Sequence, residues 1–137
     1  MEAIESVTLA EAQGIVSAAE EKAREIGQPM NIAVVDDGGH LLAFGRMDGA
    51  IKASIDISTR KAVTSVLMAL PTADLTPLVQ PGAELYGLEP TAGGMVTFGG
   101  GVPLLRGGDI VGAVGVSAGS VDQDVTVATA AAAALEG

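Results

Sequence analysis

The chain has no cysteine and no tryptophan, and its 137 residues include one histidine, one tyrosine and two phenylalanines. Without thiols it forms no disulfide, carries out no thiolate catalysis and offers no cysteine-based zinc or iron–sulfur site. A single histidine, His40, leaves no two-histidine metal site within one chain. Cations are scarce too: 7 Lys and Arg stand against 17 Asp and Glu, a formal net charge of −10. Neutralising a phosphate backbone needs clustered Lys and Arg, so nucleic acid is not an expected partner. Long apolar runs are also missing. The Ala-rich stretch from Val125 to Leu135 falls short of the roughly 18 to 20 residues that a membrane-crossing helix needs. Glu2 and Glu5 do not fit a signal peptide. The expectation is a soluble cytoplasmic protein with no membrane partner.

What is present is aliphatic. Hydrophobic residues make up 48% of the chain and aromatics 2%, so the core must be built from Ala, Val, Ile and Leu. Nineteen glycines allow close approach between elements. The length fits one domain, residues 1–137, large enough to bury a core unaided.

The organising stretch is Thr97 to Ser120. Within it Val102–Leu105, the turn Arg106-Gly107-Gly108-Asp109 and Ile110–Ser117 read as a β-hairpin. Alternation sets Ile110, Gly112, Val114 and Val116 on one face of the second strand and Val111, Ala113, Gly115 and Ser117 on the other. Glycine weakens a strand, so two of them imply that another backbone or a ligand comes close. Gly99-Gly100-Gly101 reads as a backbone-lined corner, either an anion-binding nest or a tight structural bend.

Upstream, Thr8 and Glu11 form a capping box that starts a helix near Leu9. Its apolar stripe is Leu9, Ala12, Val16, Ala19, Ala23 and Ile26, and Gly27 with Pro29 ends it. Asn31–Val35, the turn Asp36–Gly39 and His40–Phe44 predict a first hairpin. Ala50–Leu70 lacks Pro and Gly and carries Ile55, Ala62, Val66 and Leu70 at helical intervals, which predicts a long central helix stopped by Pro71. Thr76-Pro77 predicts a short helical turn, Met95–Phe98 a further strand, and the Ser120–Gln123 capping box a last helix from Val121 to Leu135. The sum is an α+β domain, an antiparallel sheet of about five strands flanked by helices.

His40 is a candidate ligand or acid–base group, since imidazole titrates near pH 6.5 or so, and also reads as a partly buried strand residue. Arg46, at a strand end, Asp48, in the following turn, and Lys61, in the central helix, are the next candidates. Lys61 neighbours Ile57, Ser58, Thr64 and Ser65, a mostly polar set off the apolar stripe, which also fits a solvated or snorkelling lysine. Met30, Met47, Met68, Met95 and Tyr86 are further conceivable iron ligands, although methionine usually fills a core. No P-loop and no GxGxxG spacing after a strand is present.

Three blocks, VVDDGGHLLAFGRMDGA from Val34, DISTRKAVTSV from Asp56 and FGGGVPLLRGGDIVGAVGVSAGSVDQD from Phe98, resemble the GlcG/HbpS-like haem-binding family and the C-terminal domain of PduO-type cobalamin adenosyltransferases. The resemblance covers nearly the whole chain. It implies an antiparallel sheet flanked by helices, self-association into dimers or larger oligomers, and in some members binding of haem or a related tetrapyrrole. It places His40 at the family's hairpin histidine, Lys61 at its helix lysine and Phe98, Gly99, Gly100 and Gly101 in its FGGGVP block. Three functions stand side by side. One is an oligomeric haem-binding protein with His40 on the iron and Arg46, Lys61 and the glycine loop toward carboxylates. Another is a cofactor-independent enzyme acting on a small carbonyl or carboxylate compound, with His40 as acid or base, Lys61 or Arg46 orienting the substrate and the glycine corner holding a developing oxyanion. The third is a structural assembly module.

Overall fold

The computed structural model describes residues 5–136. Three helices and four strands follow one another as α1 (Leu9–Ile26), β1 (Asn31–Asp36), β2 (Leu41–Arg46), α2 (Ala53–Met68), β3 (Gly101–Arg106), β4 (Asp109–Ser117) and α3 (Val121–Glu136). Two short 3-10 turns, Thr72–Asp74 and Thr76–Leu78, follow α2. No helix among the described residues is long and apolar enough to cross a membrane.

Local chemistry sets the ends of these elements. The Thr8 hydroxyl accepts from the Glu11 N–H at 3.1 Å and the Glu11 carboxylate accepts from the Thr8 N–H at 3.0 Å, closing the capping box. Such a cap contributes about 1 kcal/mol. Ser120 and Gln123 repeat the arrangement at α3. The α1 stripe differs from expectation at two positions: Ile15 is buried and Leu9 is exposed.

The two hairpins join through their inner strands into one antiparallel sheet of order β2-β1-β4-β3. The sheet therefore has four strands rather than about five. Met95–Phe98 is not a strand because its backbone is satisfied elsewhere. The Met95 N–H reaches the Glu89 carbonyl, the Val96 N–H reaches the Thr64 hydroxyl, and the Thr97 carbonyl accepts from Thr76. The β3–β4 register slips by one residue between Leu104 and Leu105, leaving Val111 as an extra residue. Val111 consequently joins Val114 and Val116 in the main core, against the strict alternation expected of β4. Its carbonyl accepts from the Val7 N–H and the Ser6 hydroxyl.

The helices make three layers. One face of the sheet packs on α1 and α3 through Ile15, Met30, Ile32, Val34, Leu104 and Val127, a core without aromatic residues. The other face carries α2, which lies over β4, β1 and β3. Here the structure bears out the expected stripe only in part: Ala62 lies in a small buried cluster with Val35 and Ala113, and Val66 packs against it. Ser54, Ser58, Lys61, Ala62, Thr64 and Ser65 are buried, whereas Ile55 and Leu67 are exposed and Val66 and Leu70 are only partly covered.

Glycine explains why the rest of the buried face is small and polar. A Cβ on Gly115 of β4 would run into the Ser58 carbonyl oxygen, and one on Gly101 of β3 into the Lys61 carbonyl oxygen. The α2 backbone thus rests almost directly on the strands at these two points, where only glycine fits beneath it. The hydroxyls there are paired: Ser58 donates to the Ile55 carbonyl at 3.1 Å, Ser65 to the Leu70 carbonyl at 2.8 Å, and Ser117 to Ser54 at 3.1 Å.

Candidate functional site

Lys61 is neither solvated nor snorkelling; its side chain is 0% exposed. The Nζ donates to Asp124 Oδ2 at 2.9 Å and to the Val116 carbonyl at 2.9 Å, and lies 4.9 Å from the centre of the Phe98 ring. Asp124, in the first turn of α3, also accepts from the Gly119 N–H at 3.0 Å through its other oxygen. Desolvation pushes the Lys61 ammonium below the ordinary lysine range, opposed by the Asp124 carboxylate. Desolvation likewise raises the Asp124 carboxyl, opposed by Lys61 and by the Gly119 and Ala118 N–H groups.

The glycine corner makes this arrangement possible. A Cβ on Gly100, whose φ is +129°, would stand 2.6 Å from Lys61 Nζ and 2.5 Å from the Val116 carbonyl. The Gly101 N–H is committed to the Thr72 hydroxyl at 2.9 Å and the Gly100 carbonyl to the Val116 N–H at 2.9 Å. Lys61, Gly99, Gly100 and Gly101 are thus brought together, with Phe98, 40% exposed, as the outer wall. The group ties α2 to α3 and to the end of β4. Asp124 escaped the sequence reading. The signal was the Ser120–Gln123 capping box, which fixes Asp124 at the start of a helix, but the lysine it serves lies 63 residues away.

His40 and Arg46 lie elsewhere. His40 sits at the tip of the first hairpin, just ahead of β2, with a side chain that is 81% exposed. Its Nδ1 is 3.2 Å from Asp36 Oδ1, and an ionised carboxylate only accepts, so Nδ1 is the donor, while Nε2 has no hydrogen-bond partner among the described residues. Asp36 Oδ1 also accepts from the N–H groups of Gly38 and His40, both at 2.9 Å. Desolvation alone would raise the Asp36 carboxyl. The His40 and Gly38 N–H groups and the imidazole outweigh it and hold the carboxyl below its usual range. A Cβ on Gly38 would come within 2.8 Å of the imidazole, so glycine here lets the ring lie against the turn.

Arg46 is exposed at the far end of β2. It lines a cleft of about 360 Å³ with Glu20, Arg24, Met47 and Asp48, and another of about 290 Å³ with Met47 to Ala50 and Lys52. Of the other conceivable iron ligands, Met30 is fully buried and Met47 Sδ accepts from the Met30 N–H at 3.4 Å. Among the described residues no group of three or more His, Asp or Glu side chains converges on a metal-sized site.

A four-stranded antiparallel sheet between one helix and a helix pair, pinned by a buried lysine at a glycine corner, defines a distinct class of small α+β domain. The chain belongs to the family described as haem degrading protein HbpS-like, whose model matches residues 7–133. It is 46% identical over 129 residues to an uncharacterised 15.0 kDa protein of the dhaT-dhaS intergenic region of Citrobacter freundii, covering 93% of this chain and 91% of that one. It is 42% identical to the corrinoid adenosyltransferase PduO of the same organism over 95% of this chain and 39% of that protein's length. Among solved structures, protein ORFY of Klebsiella pneumoniae superimposes with a TM-score of 0.95 at 40% identity, over 99% of this chain and 94% of that one. A structure described as a PduOC:heme complex superimposes with a TM-score of 0.89 at 39% identity, over 94% of each chain.

Proposed function

We propose that this protein binds haem or a related tetrapyrrole, as a self-associating member of its family, with His40 as the iron ligand. One observation carries the assignment: an exposed imidazole whose Nδ1 is held by a carboxylate and whose Nε2 has no partner among the described residues. That is the usual state of a metal-ligating histidine, in which the second nitrogen donates to a carboxylate that orients the ring and raises its basicity. The family membership and the haem complex of a 39% identical relative support the same ligand.

The residues fit the group. His40 Nε2 offers the axial nitrogen, Asp36 orients the ring, and Leu41 next to it is 53% exposed and offers apolar surface to a macrocycle; Arg46 and Lys52 stand apart from this imidazole, toward the other end of β2. Bound iron would supply the spectral and redox chemistry; the chain supplies position and charge. Lys61, being paired inside, serves the fold of the glycine corner rather than the ligand directly.

The test is a haem titration followed by absorbance, with His40→Ala beside the parent protein. Saturable, stoichiometric binding with a Soret band altered or lost in the variant supports the reading. An identical band and affinity in the variant removes His40 from the iron.

A further inference from the structure

The turn that carries His40 is closed on itself except at one point. The Gly38 N–H, the His40 N–H and the imidazole all end on Asp36 Oδ1, and the Gly39 N–H ends on the Asp36 carbonyl. The exception is the Asp37 N–H, which donates to Ser6 Oγ at 3.2 Å. Ser6 lies 31 residues back in the chain, in the segment ahead of α1. Among the described residues this is the one hydrogen bond that ties Asp37–His40 to anything outside the first hairpin.

A site on a loop keeps its geometry only where the loop is fastened to something rigid. Ser6 is such a point. Its hydroxyl donates to the Val111 carbonyl at 3.2 Å, and the Val7 N–H donates to the same carbonyl at 3.0 Å. That carbonyl belongs to the residue left over by the slipped β3–β4 register. Val7 is buried in the main core, where Gly112 makes room for it: a Cβ on Gly112 would come within 2.8 Å of Val7 Cγ1. Arg106 Nε holds the Glu5 carbonyl at 3.2 Å on one side of Ser6, and the Thr8–Glu11 capping box holds the other. The segment is gripped by β3, β4 and α1 before it meets the turn.

Both capacities of the Ser6 hydroxyl are used, since it accepts from Asp37 and donates to Val111. Alanine here breaks that relay and leaves little else undone. The Val111 carbonyl keeps the Val7 N–H, and Asp37 is exposed, so water takes over its N–H. The fold has little stake in this hydroxyl, whereas the placing of the turn depends on it.

We propose that Ser6 is a positioning residue for His40: by holding the Asp37 N–H it fixes where the Asp36–His40 turn stands, and so how the imidazole meets Asp36 and where Nε2 points. The consequence for haem rests on the reading of His40 as the iron ligand; the effect on the imidazole does not.

The single histidine supplies a readout that needs no haem. In protein labelled with ¹⁵N-histidine, the two ring nitrogens report by nuclear magnetic resonance which of them carries the proton in the neutral ring. The parent should show an excess of the Nδ1–H form. Ser6→Ala should reduce that excess, and Ser6→Thr, which keeps a hydroxyl, should retain it. In the haem titration Ser6→Ala should weaken binding by a factor of about two to ten, the worth of one hydrogen bond. The factor should vanish in an Asp36→Asn background, where the ring is already released. A parental tautomer ratio in Ser6→Ala refutes the positioning role. An affinity loss of equal size with and without Asp36→Asn also refutes it, because Ser6 would then act outside the His40–Asp36 contact. A reduced ratio in Ser6→Ala beside unchanged haem binding in His40→Ala supports Ser6 as the residue that places the imidazole and overturns His40 as the iron ligand.

Discussion

Removing Asp124 should be among the most damaging single changes in this chain. Lys61 would keep the Val116 carbonyl and the Phe98 ring but would lose its counterion in a place with 0% exposure. Deleting one partner of a buried pair costs about 3–5 kcal/mol, because the other charge stays desolvated and uncompensated. Against a total stability of about 5–15 kcal/mol, Asp124→Ala should unfold a large part of the population or bring it close to the transition. Lys61→Met strands a carboxylate instead, and the pH dependence separates the two. In Asp124→Ala the folded pKa of Lys61 lies below its unfolded value near 10.5. The unfolded chain then binds the extra proton, so stability rises with pH from the folded pKa toward 10.5. In Lys61→Met the folded pKa of Asp124 lies above its unfolded value near 3.8. The native state binds the extra proton, so stability falls as pH rises from 3.8 through the folded pKa. The double variant Lys61→Met/Asp124→Ala removes both charges and should be more stable than the sum of the single losses implies. Urea unfolding followed by circular dichroism, repeated between pH 4 and 9, measures all three. A loss below about 1 kcal/mol in Asp124→Ala, or additive single losses, would refute the buried-pair reasoning.

Gly115→Ala should destabilise by about 1–3 kcal/mol or more, since its Cβ meets the backbone of α2 at Ser58 rather than a movable side chain; an unchanged urea midpoint would mean that α2 does not rest on β4. Glu11 accepts a two-pronged contact from Arg106 at 2.9 and 3.0 Å, and this hydrogen bonding, with the Thr8 N–H, lowers its pKa from 4.5 to about 2. The resulting stability is present above pH 4.5 and is lost as pH falls through about 2. At this partly exposed site it amounts to about 1 kcal/mol, so the melting-temperature gap between the parent and Glu11→Gln should close across that window. Asp36→Asn should weaken haem binding roughly 10- to 100-fold by releasing the His40 ring, as read from the same absorbance titration; unchanged affinity would separate the carboxylate from the ligand.

Much of the fold was legible because its signals are local. The Thr8–Glu11 and Ser120–Gln123 boxes, the glycine-rich turns of both hairpins and the aliphatic core can each be read within a few residues. The orientation of α2 could not be read that way. Of the apolar stripe Ile55, Ala62, Val66 and Leu70, Ala62 is buried and Val66 packs against it, but the polar majority of the inward face depended on Gly101 and Gly115, on two strands distant in sequence. Glycines in β4 invite a close backbone, and the backbone that comes is α2. Met95–Phe98 has strand composition, yet its N–H groups are taken by Thr64 and by Glu89 of the preceding loop, a competition that no local window contains. The candidate residues separated for a similar reason. His40 and Lys61 lie 21 positions apart, one at an open hairpin tip and the other beneath a helix, and only the three-layer packing decides this.

The most direct test of the account uses the single histidine. Protein grown with ¹⁵N-labelled histidine, loaded with ferric haem and examined by electron–nuclear hyperfine spectroscopy, should show coupling of the iron to one labelled nitrogen, since His40 is the only source of that label. A haem complex whose iron shows no ¹⁵N coupling would contradict the assignment of His40 and move the search to another ligand.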